Sequence, residues 1–164
     1  MPAARTGGSG EVASAAAPVV RRAEAGDLPA LVGLLGILFT LEADFQPDPA
    51  RQRRGLEALL ATPQASLVLA AEAGGAVVGM VTGQLLVSTA QGGPSLLVED
   101  LVVAEAARGA GLGRALLAAA EAWGRSRGAT RVQLLVDEEN LAALAFYRRL
   151  AWQPTQLRAL RRLL

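Results

Sequence analysis

The chain has 164 residues, is 52% hydrophobic and carries a formal net charge of +1 at pH 7, which together fit one folded domain with an ample core. It contains neither cysteine nor histidine, and all 16 of its basic residues are arginine. These absences exclude disulfides, thiolate or imidazole metal sites, Ser/His/Asp hydrolysis, Schiff-base lysines and Walker phosphate loops, so any catalytic acid or base must be Asp, Glu, Tyr, Arg or a terminus.

The N-terminal region predicts a tail followed by a strand and a helix. Residues 1–17 mix Gly, Ser, Ala and Pro without periodicity, which is typical of a flexible tail, and we expect a single domain at residues 18–164. A short strand is predicted at residues 19–24. Asp27 can then cap a helix, because four leucines after it share one helical face. They are Leu28, Leu31, Leu35 and Leu38.

A loop, a helix and a hairpin follow. Residues 41–49 carry acids between prolines and aromatics, which predicts a surface loop, and a second helical pattern covers residues 50–60. Residues 66–73 and 76–88 are rich in Val, Leu and Ala. The Gly74-Gly75 pair between them is a hairpin turn signal, so we expect two antiparallel strands.

The C-terminal half alternates strands and helices. A third apolar strand at 95–103 contains the adjacent acids Glu99 and Asp100, one of which must face inward or lie at an irregularity. An amphipathic helix is predicted at 111–127 and a strand at 131–136. Asn140 then caps a helix, and a last strand is expected from Trp152 to the C-terminus. This order predicts a mixed α/β sheet with helices on both faces.

A glycine-rich turn precedes the amphipathic helix and reads Arg108-Gly109-Ala110-Gly111-Leu112-Gly113-Arg114-Ala115. Backbone N–H groups at a helix N-terminus have no intrahelical acceptor, and the helix dipole adds about half a positive charge there. Glycines allow close approach to phosphate oxygens, and Arg108 and Arg114 can add charge-assisted hydrogen bonds. The turn suits a pyrophosphate, although glycines at this spacing can also simply let a strand and a helix pack closely.

Three segments of the chain resemble the GNAT acetyltransferase superfamily. Its signature Gln/Arg-x-x-Gly-x-Gly/Ala matches residues 108–113, and the segments Glu99-Asp100-Leu101-Val102-Val103 and Asn140 with Ala145-Phe146-Tyr147 resemble the family too. The likeness runs from about residue 19 to the C-terminus. It implies an α/β (α+β) fold with a mixed, mostly antiparallel sheet flanked by helices, and N-acetyltransferase activity with acetyl-CoA as co-substrate and no metal.

The resemblance also implies how the cofactor is held. In this family, main-chain groups of the strand before the turn pair with pantetheine, and the amides of the turn hold the pyrophosphate. Asn140 reads first as a helix cap and, through the resemblance, also as a contact to the pantetheine arm. The implied cofactor-binding residues are Leu101, Val102, Val103, Arg108, Gly109, Ala110, Gly111, Leu112, Gly113, Arg114, Ala115 and Asn140.

Two residues are the implied catalytic pair. Tyr147, the chain's single tyrosine, falls where the family places a general acid near the CoA sulfur, and its alternative reading is an aromatic packed beside Phe146. Glu99 falls where polyamine-type members relay a proton from the amine through water, and its alternative reading is a carboxylate held by a hydrogen bond or an arginine. Asp100 is a weaker candidate base. Without Cys, His or Lys we expect direct transfer in a ternary complex.

The acceptor is expected to be a primary amine of a small molecule or a peptide. Glu42 and Asp44, with Asp48 beside them, can attract a protonated amine, although a solvated acidic loop is the plainer reading. Ala151 stands where relatives usually have glycine, and the chain ends before a full terminal hairpin. A homodimer is therefore a possibility that the sequence leaves open.

Charge, aromatic content and apolar runs bear on other partners and functions. The low net charge and the 4% aromatic content argue against nucleic acid, and no apolar run reaches the eighteen or so residues that span a bilayer. The N-terminus lacks a signal-peptide pattern, so we expect a cytoplasmic protein. A non-catalytic acyl-CoA-binding regulatory domain, or a transferase for another acyl group or a hydroxyl acceptor, remains the alternative.

Overall fold

A computed structural model describes residues 17–41 and 45–163. Short 3-10 turns lie at Ala25–Asp27 and Glu105–Ala107. The strands are β1 (Val19–Arg22), β2 (Ser66–Ala73), β3 (Ala76–Ser88), β4 (Gly93–Val103) and β5 (Val132–Leu134). The helices are α1 (Leu28–Leu41), α2 (Pro49–Ala61), α3 (Leu112–Ser126) and α4 (Leu141–Arg149).

Within the described residues the strands form one five-stranded sheet in the order β1-β2-β3-β4-β5. The first four strands pair antiparallel, and β5 joins β4 in parallel. The predicted hairpin is confirmed, because Gly74 and Gly75 connect β2 to β3 with positive φ angles of 58° and 78°. Such a turn matches the right-handed twist of the two strands. The predicted mixed, mostly antiparallel sheet is therefore correct.

Each face of the sheet carries its own core, as predicted. On β2, Leu67 and Leu69 face α3, whereas Val68 and Ala70 between them face α1 and α2. All four side chains are buried because helices cover both faces. The strand therefore reads as a continuous apolar run, without the alternation of a strand that is half exposed.

The two acids of β4 lie at a β-bulge. In the pairing of β3 with β4, Gly83 lies opposite Val98 and Val81 lies opposite Leu101, so both acids oppose Thr82. The extra residue changes which face each side chain meets. Val98 packs on the α3 side before the bulge, and Leu101 does so after it. The irregularity predicted at Glu99-Asp100 is confirmed.

Strands β4 and β5 pair over a short stretch and then separate. Their parallel register runs from Leu96 opposite Val132 to Val98 opposite Leu134, where β5 ends. Among the described residues, β4 continues to Val103 without a further partner on that side. We call this opening between the end of β4 and the chain after β5 the fork.

Two sequence expectations about the ends of elements are wrong. The strand predicted at 131–136 is limited to Val132–Leu134, and no strand forms after Trp152 within the described residues. In that segment Leu157, Leu160 and Leu163 are 87%, 97% and 86% exposed. Their spacing of three does not match the two-residue period of a strand, so they cannot form one buried face.

The N-terminal cap is a further correction. Asp27 directly precedes α1, but its carboxylate accepts hydrogen bonds from Arg21 at 2.7 and 2.9 Å and from the Glu24 N–H at 2.8 Å. It therefore closes the 3-10 turn and ties it to β1. The strong donor Arg21 competes successfully with the first turn of the helix for this carboxylate.

Candidate active site

The glycine-rich turn lies between β4 and α3, where the sequence predicts it. Gly109 and Gly111 adopt φ angles of 81° and 79°, in the left-handed region that favours glycine. Gly111 is the N-cap of α3. A Cβ added at either position would meet no atom within 4 Å, so the turn faces open space. This space is what a ligand bound to the turn would need.

The backbone amides of the turn are available to such a ligand. Ala107 and Arg108 donate their N–H groups to the preceding 3-10 turn, and Ala115 donates to the Gly111 carbonyl at 3.0 Å. In the described part of the chain, the intervening N–H groups at 109–114 have no backbone acceptor. Together with the positive end of the helix dipole, they form an anion-binding concavity.

Arg108 fastens the turn to the strand before it. Its Nε donates a hydrogen bond to the Val103 carbonyl oxygen at 3.1 Å. This bond fixes the direction in which the chain leaves β4. The guanidinium lies on the exposed side of the turn, as does Arg114. Both can therefore add positive charge next to the free amides.

Helix α4 brings the lone tyrosine beside the turn. A Cβ built on Gly113 would lie 3.5 Å from the Phe146 ring, so α4 packs against the first turn of α3. Tyr147 follows directly and is partly buried, with ring centroids 5.2 Å from Phe146 and 5.6 Å from Trp152. Its ring is thus fixed by aromatic neighbours on two sides.

The predicted cap of α4 is confirmed. The Asn140 side-chain oxygen accepts a hydrogen bond from the Ala143 N–H at 3.0 Å. Its side chain is exposed at the start of the helix, on the connection that leaves the fork. The capping role requires no ligand.

A cleft opens on the opposite face of the sheet, between the two N-terminal helices and the bulge of β4. Its cavity volume is about 420 Å³. Glu99 and Asp100 line it from the strand side. Gln84 Nε2 donates to Glu99 Oε2 at 2.8 Å and orients that carboxylate. Apolar contacts come from Leu35, Phe39, Leu56 and Leu59.

Asp100 is the more buried of the two acids. Thr82 Oγ1 donates to Asp100 Oδ2 at 2.5 Å, and the Asp100 N–H donates to Thr82 Oγ1 at 3.1 Å. Burial raises the pKa of Asp100 to about 6, with a smaller increase from the charge of Glu99, while the Thr82 hydrogen bond opposes the rise. Near neutral pH this carboxyl can therefore exchange a proton.

Of the three acids in the predicted acidic loop, the structure describes Asp48. Asp48 caps α2, accepting hydrogen bonds from the Ala50 and Arg51 N–H groups at 3.1 Å each, and it pairs with the Arg51 guanidinium at 3.1 Å. These hydrogen bonds hold the pKa of Asp48 below its usual value. Asp48 is thus occupied by a structural role. Glu42 and Asp44 lie outside the described residues.

Comparison with known proteins agrees with this geometry. A sequence model of the family described as "Acetyltransferase (GNAT) family" matches residues 35–152. This range includes the cleft lined by Glu99 and Asp100, the glycine-rich turn and Tyr147. The chain belongs to the GNAT acetyltransferase family. It is therefore an acyltransferase of the GNAT type, and the resemblance seen in the sequence is confirmed.

Solved structures share the fold of this GNAT acetyltransferase over almost their full length. One is a transcriptional regulator from Bacillus halodurans C-125, with 26% identity and a TM-score of 0.76, covering 90% of this chain and 100% of that one. A putative acetyltransferase from Agrobacterium tumefaciens str. C58 has 25% identity, a TM-score of 0.75 and coverages of 88% and 99%. The aminoglycoside N-acetyltransferase AAC(6')-Iy, solved with CoA, has 18% identity, a TM-score of 0.78 and coverages of 92% and 97%.

Other comparisons are negative. None of the curated proteins compared with this chain matches it. In residues 17–41 and 45–163, no helix is both long and apolar enough to cross a bilayer. Over the same ranges, no group of three or more Asp or Glu side chains is arranged to hold a metal ion.

One polar residue that lines the same cleft was not predicted from the sequence. Gln52 lies on α2, is 7% exposed and lines the cleft. A signal was present, because Gln52 shares a helical face with Leu56, the other buried residue of α2. A glutamine at a position where packing favours an apolar side chain is the feature that could have drawn attention to it.

Proposed function

We propose that this acetyltransferase transfers the acetyl group of acetyl-CoA directly to a primary amine of a small molecule or a peptide. The observation that carries the proposal is the position of β4. The edge of its C-terminal half borders the fork, and the glycine-rich turn follows its end. Its bulge presents Glu99 and Asp100 to the cleft beside α1 and α2. A single strand thus separates the glycine-rich turn from an acidic pocket.

The residues of the fork fit acetyl-CoA. Its pyrophosphate would accept hydrogen bonds from the turn amides at 109–114 and would be attracted by the charges of Arg108 and Arg114, whereas the predicted Ala115 amide is already bonded to the Gly111 carbonyl. The pantetheine arm would pair with the backbone of Leu101–Val103, which has no partner strand on the β5 side among the described residues. Asn140 would contact the same arm. Acetyl-CoA supplies the activated acetyl thioester.

Tyr147 is the proposed general acid. The thiolate of CoA that leaves during transfer needs a proton, and a phenol of pKa about 10 can return one to a thiol of pKa about 8.5 at small cost. Packing of α4 against the first turn of α3 supports this role, because it holds Phe146, the residue before Tyr147, against Gly113. The two ring contacts of Tyr147 limit its freedom to rotate.

Glu99 is the proposed general base. An amine arrives protonated at neutral pH and must lose a proton before it attacks the thioester carbonyl. Glu99 lines the acceptor-side cleft and is oriented by Gln84, so it can accept that proton directly or through water. Asp100, whose pKa is about 6, stands next to it as a second proton acceptor.

Direct transfer follows from the available side chains. An acetyl-enzyme intermediate needs a good nucleophile, and the chain has no Cys, His or Lys. Both substrates must therefore be bound before the carbonyl is attacked. Initial-rate kinetics should show intersecting lines, and mass spectrometry after incubation with acetyl-CoA should show no acetylated protein. Parallel lines with an acetylated intermediate would contradict this mechanism.

The activity is tested by thiol release from a panel of acyl-CoAs, with primary amines and matched alcohols as acceptors. Aminoglycosides belong in the panel, because one structural neighbour is named as an aminoglycoside N-acetyltransferase. We expect acetyl-CoA and amines to give the highest rates, and Glu99→Gln to lower them. The proposal fails if longer acyl groups or alcohols are preferred, or if CoA binds and no acceptor reacts. The cytoplasmic location and a homodimer remain predictions.

A further inference from the structure

The buried side chain of Gln52 has no hydrogen-bond partner among the described residues. Neither its Oε1 nor its Nε2 finds one, although both atoms are shielded from solvent. Buried amides in folded proteins are nearly always hydrogen-bonded, so an unpaired one calls for an explanation. An apolar side chain would fill the same space without leaving two polar atoms unsatisfied. Among the described residues, the fold therefore gains no hydrogen bond from this amide.

The position of Gln52 points to a ligand. It is one of the residues that line the acceptor-side cleft, together with Glu99 and Asp100 of β4. The amide thus lies on the helix side of the cavity and the two carboxyls on the strand side. A molecule whose amine meets the carboxyls extends toward α2. The amide atoms are covered in this conformation, so the rest of that molecule reaches them when the Gln52 side chain turns into the cleft that it lines.

The charges in the cleft restrict which functional groups this molecule can carry besides its amine. Arg51, the basic side chain that lines the cleft, is paired with Asp48 at 3.1 Å, so its charge is compensated. Glu99 and Asp100 leave the remaining charge negative. A carboxylate on the acceptor would be repelled by them. A second ammonium group would satisfy Oε1 and leave the Nε2 donor unpaired.

We propose that Gln52 determines acceptor specificity, its amide accepting from and donating to an uncharged hydroxyl or carboxamide group carried by the same molecule as the reacting amine. This inference rests on the proposed function and names the substrate class for the same site. A hydroxyl or carboxamide both donates and accepts, so it satisfies both polar atoms of Gln52. An alkylamine of the same length satisfies neither.

The test compares amino alcohols of two to six carbons and the corresponding amino amides with alkylamines of matched length. Wild-type protein should acetylate the best polar acceptor with a kcat/KM about tenfold or more above that of its alkyl counterpart, because an unsatisfied site amide penalises the apolar analogue. Gln52→Met keeps the length and shape of the side chain and removes both polar atoms. This substitution should bring the ratio of the two kcat/KM values close to one, chiefly by raising KM for the polar acceptor.

A matched control and a stability measurement separate specificity from folding. Gln64 is exposed outside the cleft, and Gln64→Met should keep the wild-type ratio. The Tm of Gln52→Met should equal or exceed that of wild type, because the variant no longer buries unpaired polar atoms. A lower Tm would show that Gln52 serves the fold. An unchanged ratio in Gln52→Met, with amines still acetylated, would overturn the inference and leave the proposed function intact.

A binding experiment keeps the two proposals distinguishable if no turnover occurs. Calorimetry with CoA present should show that the best amino alcohol binds wild type more tightly than Gln52→Met, and that the alkylamine does not discriminate between them. Discrimination by binding without acetylation would uphold the role of Gln52 and reject the proposed reaction. Equal binding of the amino alcohol to both proteins would reject the role of Gln52.

Discussion

At the scale of single residues, Tyr147 offers the most direct test of the chemistry. Phenylalanine keeps the ring contacts with Phe146 and Trp152 and removes the proton donor. We expect Tyr147→Phe to lower kcat by about a hundredfold and to leave CoA affinity nearly unchanged, since general acid catalysis contributes on this order. Steady-state kinetics and calorimetry measure the two quantities. An unchanged kcat would remove Tyr147 from the mechanism.

The raised pKa of Asp100 predicts that the free energy of unfolding depends on pH. Because its pKa rises to about 6 in the folded protein, the folded state holds this proton more tightly than the unfolded state. Stability therefore falls as pH rises from about 4 to about 6, and the loss persists above that window. Asp100→Asn stays uncharged and should be more stable than wild type by about 1–3 kcal/mol at pH 8, with the gain shrinking at pH 4.5.

Urea denaturation at the two pH values measures this difference. Asparagine retains a side-chain oxygen that accepts from Thr82, so the main hydrogen bond can survive the substitution. A stability change of the same size at pH 4.5 and pH 8 would show that packing, and not the charge, is responsible.

Local segments of the sequence suggest the catalytic candidates, but not the other side chains of the cleft. Tyr147 and Glu99 follow from a family resemblance of local segments; in the structure Tyr147 lies on α4 between Phe146 and Trp152, and Glu99 lines the cleft. Gln52 lies about fifty residues away from the bulge in the chain, and its proximity to Glu99 exists only after the sheet and α2 have packed. Local patterns do not contain such tertiary contacts.

At the scale of elements, the end of α4 is strained. Ala151 follows the helix with φ of 64°, the one positive-φ residue other than glycine among the described residues. A Cβ in this left-handed conformation costs about 1–2 kcal/mol, part of which a glycine loses again through its freedom in the unfolded chain. Ala151→Gly should raise the free energy of unfolding by about 0.5–1 kcal/mol.

Thermal and urea denaturation of Ala151→Gly provide the measurement. Ala142 is an exposed residue within α4, so Ala142→Gly should instead destabilise by about 1 kcal/mol and serves as the matched control. Destabilisation by Ala151→Gly would show that the strain inferred at this position is absent.

The element order was predictable, and the failures have identifiable causes. Long apolar patterns such as β2, β3 and α3 dominate their own local structure. The stretch after Trp152 contains Pro154 and three arginines, and Leu157, Leu160 and Leu163 repeat every three residues. Whether such a segment pairs depends on a neighbouring edge, which its own composition does not determine. The cap at Asp27 failed because Arg21, six residues earlier, takes the carboxylate.

At the scale of the whole molecule, the fork predicts coupling between cofactor binding and stability. CoA in the proposed site would contact β4, the turn and α4 at once. At a hundredfold excess over its Kd, a ligand that binds only the folded state adds about 2.7 kcal/mol, which for a chain of this size raises Tm by about 5–10 °C. Differential scanning calorimetry with and without CoA measures the shift.

Gly111→Val is the control for that experiment. It combines a left-handed φ with a β-branched side chain in the space that the pyrophosphate needs. The variant should show a lower Tm and little further change on adding CoA. A normal CoA-induced shift in Gly111→Val would contradict phosphate binding by the turn.

The bulge of β4 also limits which insertions and deletions this strand can tolerate. Leu96 and Val98 face α3 at even positions, whereas Leu101 and Val103 do so at odd ones, with Val102 turned toward α1. Deleting one residue of the bulge would restore regular pairing and keep both sets against α3, but it would remove one of the two acids that line the cleft. A deletion elsewhere in the strand would turn the residues beyond it to the opposite face. We therefore expect codon insertions and deletions to be eliminated in this strand.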